Sequence, residues 1–190
     1  MSRLVAALCL SLVPLPLFAA SGPPLSPEAL AARADRVVVA HVTHVRTEGE
    51  GSGLRTLTGL QVLQDWKGQA GTSTVEVVQL GGAAGGYILQ VAGDARLEPA
   101  TKLVAFLRCR DKARADRCTL VGLSQGALKV YRSDAGDEVV VRDAKGTKAR
   151  MPLETLRKRL SSSPQSSSVP PVGGEGPVPR VLVPKTGRAP

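Results

Sequence analysis

Gly122-Leu123-Ser124-Gln125-Gly126 has the G-x-S-x-G spacing of a nucleophile elbow. In that motif a strand-to-helix turn exposes the serine, and an acid and then a histidine follow in the chain to activate it for acyl transfer. Here both histidines, His41 and His44, precede Ser124, and Ala127 to Arg132 reads as a strand. A turn between strands is therefore expected at 122–126, and a serine hydrolase using Ser124 ranks third among the functional readings. His41 and His44 are three residues apart in a β-branched run. A regular strand puts such a pair on opposite faces, where they do not share a metal ion.

Asp134, Asp137 and Glu138 offer calcium-type oxygen ligands, but without the EF-hand spacing they read as solvated turn acids. Gly81 to Gly86 is as glycine-rich as a phosphate cradle. Tyr87 and Ile88 follow it in place of the Lys-Ser/Thr ending of a P-loop, so a β-loop with close backbone approach is expected. No metal or cofactor is expected. Single-stranded nucleic acid needs aromatic stacking platforms beside a basic groove. Beyond residue 21 the chain has only Trp66, Tyr87, Phe106 and Tyr131 for that role, so no specific nucleic-acid partner is expected. Trp66 ends a strand and reads as an anchor, with an exposed binding aromatic as the alternative.

Cys109 and Cys118 carry the firmest chemistry. They flank Arg110 to Arg117, a stretch with no long apolar side chain, and each adjoins an apolar strand. If those strands form a hairpin, the cysteines face each other and a disulfide is expected. The tip would present Arg110, Lys112, Arg114 and Arg117 against Asp111 and Asp116, a candidate contact for an acidic partner.

These residues must be positioned by short elements. Ser26 caps a helix with Pro27 at its first position and Glu28 facing the positive dipole end. Strands are expected over Arg36–Val45, Leu54–Asp65, Thr74–Leu80, Tyr87–Val91, Lys102–Arg108, Thr119–Leu123, Ala127–Arg132 and Glu138–Arg142, with Gly59 as a bulge or bend. Leu153, Leu156 and Leu160 line one face of a second helix, with Arg157, Lys158 and Arg159 in its last turn. Short strands at close spacing imply an all-β, antiparallel barrel or sandwich.

The chain has 190 residues and a formal net charge of +9, suited to one domain with tails. Arg3, the apolar run Leu4–Phe18 and the small residues Ala19 to Gly22 form the layout of a Sec-type signal peptide, with cleavage expected after Ser21. Cys9 lies inside the apolar run, so no lipobox is present. Pro14 and Pro16 break the run, and no membrane span is expected. Ser, Pro and Gly make up 17 of the last 30 residues. Residues 161–190 are expected to be disordered, with Val181-Leu182-Val183 as the one segment able to dock as a strand. The division is thus 1–21 signal peptide, 22–160 β domain and 161–190 tail.

Ala34-Asp35-Arg36-Val37-Val38-Val39, then Gln64-Asp65-Trp66-Lys67-Gly68, then Val75-Glu76-Val77-Val78 resemble the strand pattern of netrin-like domains, which include the tissue inhibitors of metalloproteinases. The same pattern is similar to that of small secreted bacterial proteins of no assigned function. The resemblance implies a five-stranded OB-type barrel with added strands. Residues 22–108 contain no Cys, so the metal-binding amino-terminal cysteine of the inhibitors has no counterpart here. The expected function is a non-enzymatic binding or scaffold module, secreted or periplasmic, with an unknown protein or acidic polymer as partner. A netrin-like inhibitor or binder of an extracellular hydrolase is the alternative.

Overall fold

Strand β1, Arg36–Glu48, begins with five consecutive buried residues because it is covered on both faces. The computed structural model describes residues 23–68, 72–109, 116–134, 136–142 and 145–162, and the backbone of 181–184. On one face of β1, Val38, Ala40 and Val42 join Leu60, Val75, Val77, Leu103, Ala105, Leu107 and Cys118 in one apolar cluster. On the other, Val37 and Val39 join Val104, Phe106, Val139 and Val141, and two helices close this second layer. Period-two alternation thus feeds two cores from the same strands.

The remaining strands are β2 (Arg55–Lys67), β3 (Thr74–Leu80), β4 (Gly82–Ala84), β5 (Tyr87–Gln90), β6 (Lys102–Arg108), β7 (Arg117–Leu120), β8 (Ala127–Ser133), β9 (Gly136–Arg142), β10 (Lys148–Pro152) and β11 (Val181–Pro184). Eight of them form one large sheet in the order β1-β2-β3-β7-β6-β8-β9-β10, and β1 also pairs with β6. The protein is mostly β, as its sequence implies. Two features correct the expected antiparallel barrel. Strands β3 and β7 run parallel, through Glu76↔Arg117 and Val77↔Cys118. From β1 through β2, β3, β7 and β6 back to β1 there are five strands, and an odd number cannot alternate direction throughout. The sheet is also not a closed barrel, because that parallel seam is so short and β8, β9 and β10 run outward from β6.

Helix α1, Pro27–Arg33, has the expected cap, with the Ser26 side chain accepting from the Ala29 amide. Helix α2, Leu153–Ser162, buries Leu153 and Leu156 and extends two residues past the expected domain end at 160. Arg159 of α2 pairs with Glu28 of α1, tying the helices together. Strand β10 escaped the sequence reading because Lys148, Arg150 and the short apolar content of Ala149 and Met151 hide its alternation. Among the described residues no helix is long and apolar enough to cross a membrane. The expected signal peptide lies outside the described residues, as does most of the tail.

The turn between β8 and β9 places Asp137 between Lys102 and Arg132, at 2.5 and 2.9 Å. Hydrogen bonds from Lys102 and then Arg132 hold its carboxyl below the usual carboxylate range. A lowered folded pKa means that the contribution to stability is complete above the ordinary value of 3.8 and is lost as pH falls toward the lowered one. Asp137→Asn is therefore expected to lower the melting temperature at neutral pH, and the difference from the parent should shrink below about pH 4. Paired thermal melts across that range check it.

Candidate functional site

The bulge at Thr43 creates the site. In the β1–β2 ladder Val42 pairs with Leu60 and His44 with Gly59, so Thr43 is the extra residue. An extra residue reverses the side-chain parity beyond it. His41, between buried Ala40 and Val42, already faces away from the inner core. After the bulge His44 faces the same way, over Gly59, which corrects the expectation that the two histidines lie on opposite faces. The Thr43 hydroxyl bonds the Gly59 carbonyl at 3.1 Å and lies 3.0 Å from His44 Nδ1. A Cβ on Gly59 would sit 2.2 Å from His44 Cε1 and 2.8 Å from the Thr43 hydroxyl. Glycine is required here because the imidazole occupies the space of a side chain.

An open groove of about 410 Å³ runs from this point, lined by Thr43, His44, Gly59, Thr74, Glu76, Asp116 and Arg117 among others. Glu76 forms its charged wall. Arg46 reaches it at 2.7 Å and Arg117 at 2.8 Å, while Glu48 lies 3.4 Å from Arg46 and 3.9 Å from Arg117. The hydrogen bond that Arg46 donates to Glu76 holds its guanidinium above its ordinary pKa. Within this network two acids and two arginines balance in charge. The groove thus brings together hydroxyls, an imidazole and an ion network.

Other candidate residues are distributed elsewhere. Gly122 and Leu123 both adopt left-handed backbone, with φ of 67° and 55°, and lead into a 3-10 turn, Leu123–Gly126, followed by β8. The Ser124 amide donates to the Gly93 carbonyl, and Gln125 grips the amino-terminal segment through the Leu25 amide and the Pro23 carbonyl. This is a turn between strands, as its composition suggests, and its polar groups clamp backbone. Gly81 to Gly86 contains β4 and a two-residue turn, Gly85-Gly86, with φ of 56° and 81°, the backbone of a type I′ hairpin.

Trp66 packs partly buried against the helix-covered layer, its indole N–H donating to Gln64 at 3.0 Å. Its neighbours explain the Trp-Lys-Gly run. Lys67 Nζ donates to the Ala31 and Ala34 carbonyls at 2.6 and 2.8 Å, satisfying the carboxyl end of α1. Gly68, at φ 92°, lets the chain pass so close to Asp35 that a Cβ would be 2.8 Å from its carbonyl. Asp35 in turn accepts from the Cys109 amide. The Ala34-Asp35 and Trp66-Lys67-Gly68 pieces therefore meet at one corner, which identifies what each residue type does there.

Cys109 and Cys118 form a disulfide, with Cα atoms 4.3 Å apart. The ladder Leu107↔Leu120, Arg108↔Thr119 delivers them face to face, as the hairpin requires. Arg110, Lys112 and Arg114 lie outside the described residues, and Arg117 points into the Glu76 network rather than standing free at the tip. Closing a loop this short should contribute about 2.7 kcal/mol in the chain-entropy model. Cys109→Ser with Cys118→Ser is expected to lose stability of that order in urea melts. Thiol titration of the unreduced protein lacking residues 1–21 should find no free thiol, and two per chain would refute the bridge.

Asp94 and Gln79 form a second polar contact at the far end of β3. Gln79 Nε2 donates to the Asp94 carboxylate at 2.6 Å and to the Ala95 carbonyl, and burial pushes the Asp94 carboxyl up. This pair seats the segment from which Leu97 enters the inner core. Sequence reasoning missed the Glu76 network entirely, since Arg46, Glu76 and Arg117 are 30 or more residues apart. Compared with known proteins, the chain matches no family model, no curated protein sequence and no solved structure.

Proposed function

We propose that this chain is an exported, non-enzymatic binding or scaffold module with an OB-type arrangement of β1, β2, β3, β6 and β7. The carrying observation is the groove beside the Thr43 bulge, where His44 lies over Gly59 and Thr43 and the Glu76 ion network line the same opening. Support for the OB-type reading comes from the strand order and from the parallel β3–β7 seam, the one place where a five-strand circuit breaks its alternation. Ligands of such folds sit on the β2–β3 face, and this groove is lined by Gly59 of β2 and by Thr74 and Glu76 of β3. The disulfide supports export, since such bridges persist in oxidising compartments.

The test is a photo-crosslinker placed at position 44, with the natural surroundings of the protein as the source of partners. A specific adduct that disappears in Gly59→Val supports the groove; adducts indifferent to that change count against it. A fluorophosphonate probe addresses the enzymatic alternative, and labelling that vanishes in Ser124→Ala would overturn the non-enzymatic reading. The second reading, a binder of an extracellular hydrolase, is favoured by one observation. The Asp35 and Lys67 clamp and the disulfide share a corner, from which the segment carrying Arg110, Lys112 and Arg114 departs. Pull-down of a secreted hydrolase, lost when Arg110, Lys112 and Arg114 are reversed to Glu, would select it.

A further inference from the structure

Beyond the groove, we propose that the outer edge of β5 is a strand-accepting site for extended aliphatic peptides, occupied in the free protein by the chain's own residues 181–184. Strand β5 pairs with β4 on one side through Gly82↔Leu89, Ala83↔Ile88 and Ala84↔Tyr87. On its other side, among the described residues, only β11 pairs with it, antiparallel, from Val181↔Gln90 to Pro184↔Tyr87. Without β11 that edge carries unpaired backbone donors and acceptors. Natural edges are blunted by charge, proline or bulges. Tyr87-Ile88-Leu89-Gln90 has none of these, and it leaves Tyr87 52% and Ile88 37% exposed.

The edge is also rigid, which a template requires. The type I′ turn sets its register, and Leu89 is buried beneath it. Gly81 approaches so closely that a Cβ there would lie 2.5 Å from the Leu89 carbonyl. The segment that occupies the edge has the composition of a ligand rather than of a core strand. Val181-Leu182-Val183 is an aliphatic run set between Pro179 and Pro184. Pro184 lacks an N–H, so the ladder ends there.

Three such residues make too short a ladder to hold alone. Attachment to the domain supplies the remainder, because a covalent connection keeps the segment at a high effective concentration. Residues 163–180 are that connection, and fully extended they would span about 60 Å. An untethered peptide therefore competes only weakly until the tethered one is disabled. Recognition is through backbone, so the ligand class is an extended peptide with two or three aliphatic residues and no proline among them.

The test uses the full chain with Val181→Pro and Val183→Pro together, and a fluorescent peptide of residues 178–186. Amide exchange of the β6–β7 hairpin reports that each variant is folded. A second variant, with Leu182→Pro alone, serves if the first is not. The expected result is at least tenfold tighter peptide binding by the variant than by the parent. Exchange at Tyr87–Gln90 should be at least tenfold faster in the variant and slowed again by the peptide. A peptide carrying Leu182→Pro should bind neither protein. Equal binding to parent and variant, or none to either, overturns the proposal. Protection of β5 that rises with protein concentration overturns the intramolecular assignment in favour of exchange between copies.

Discussion

Asp65→Ala is expected to cost about 3–5 kcal/mol, because it strands a buried arginine. Arg36 opens β1 and is 7% exposed. Its Nε and Nη2 meet the two carboxylate oxygens of Asp65 at 2.7 and 3.2 Å, and Nη2 also donates to the Thr72 carbonyl at 3.1 Å. Removing the carboxylate leaves the guanidinium desolvated with one carbonyl for company. The partial exposure of Asp65 lets some water in, so the lower end of that range is expected. The double substitution Arg36→Met with Asp65→Leu removes both charges and should recover most of the loss, since a buried pair and a well-packed apolar pair differ little. Urea denaturation of the disulfide-intact proteins checks both; a single substitution costing under 1 kcal/mol would show that the pair is effectively solvated.

Phe106→Ala is expected to cost about 3–5 kcal/mol by the same measurement. Phe106 is fully buried in β6, and its cluster joins α1 and α2 to the sheet. Truncation leaves a cavity between sheet and helices that surrounding strands cannot collapse into, because Val37, Val39 and Val104 are fixed by ladders on both sides. No residue lining the groove belongs to the Phe106 cluster. Folded Phe106→Ala protein should therefore crosslink from position 44 as the parent does, which separates a loss of stability from a loss of recognition.

Contiguous residues were enough for much of this. Ser26-Pro27-Glu28 starts a helix by rules confined to one turn, and the structure has the Ser26 cap in place. The β-branched run from Arg36, the leucines of 153–160 and the turn glycines each specify an element through neighbours a few residues away. Cys109 and Cys118 were legible as a bridge because two apolar strands adjoin them and only eight residues intervene. Even the double burial at the start of β1 is visible, since alternation is missing where both faces are apolar.

What the tertiary structure alone decided concerns partners. His44 changes face because Thr43 has no opposite number on β2, and nothing within β1 says where its ladder slips. Arg46, Glu76 and Arg117 come together, as do Arg36 and Asp65, only after strands distant in sequence are set side by side. The parallel β3–β7 seam follows from the number of strands in the circuit, a property of the whole sheet rather than of either strand. Propensity and period are sums over neighbouring residues, whereas register, bulges and ion networks depend on which remote segment supplies the other half of each bond. That choice belongs to the folded chain as a unit, and it is where the site of this protein was made.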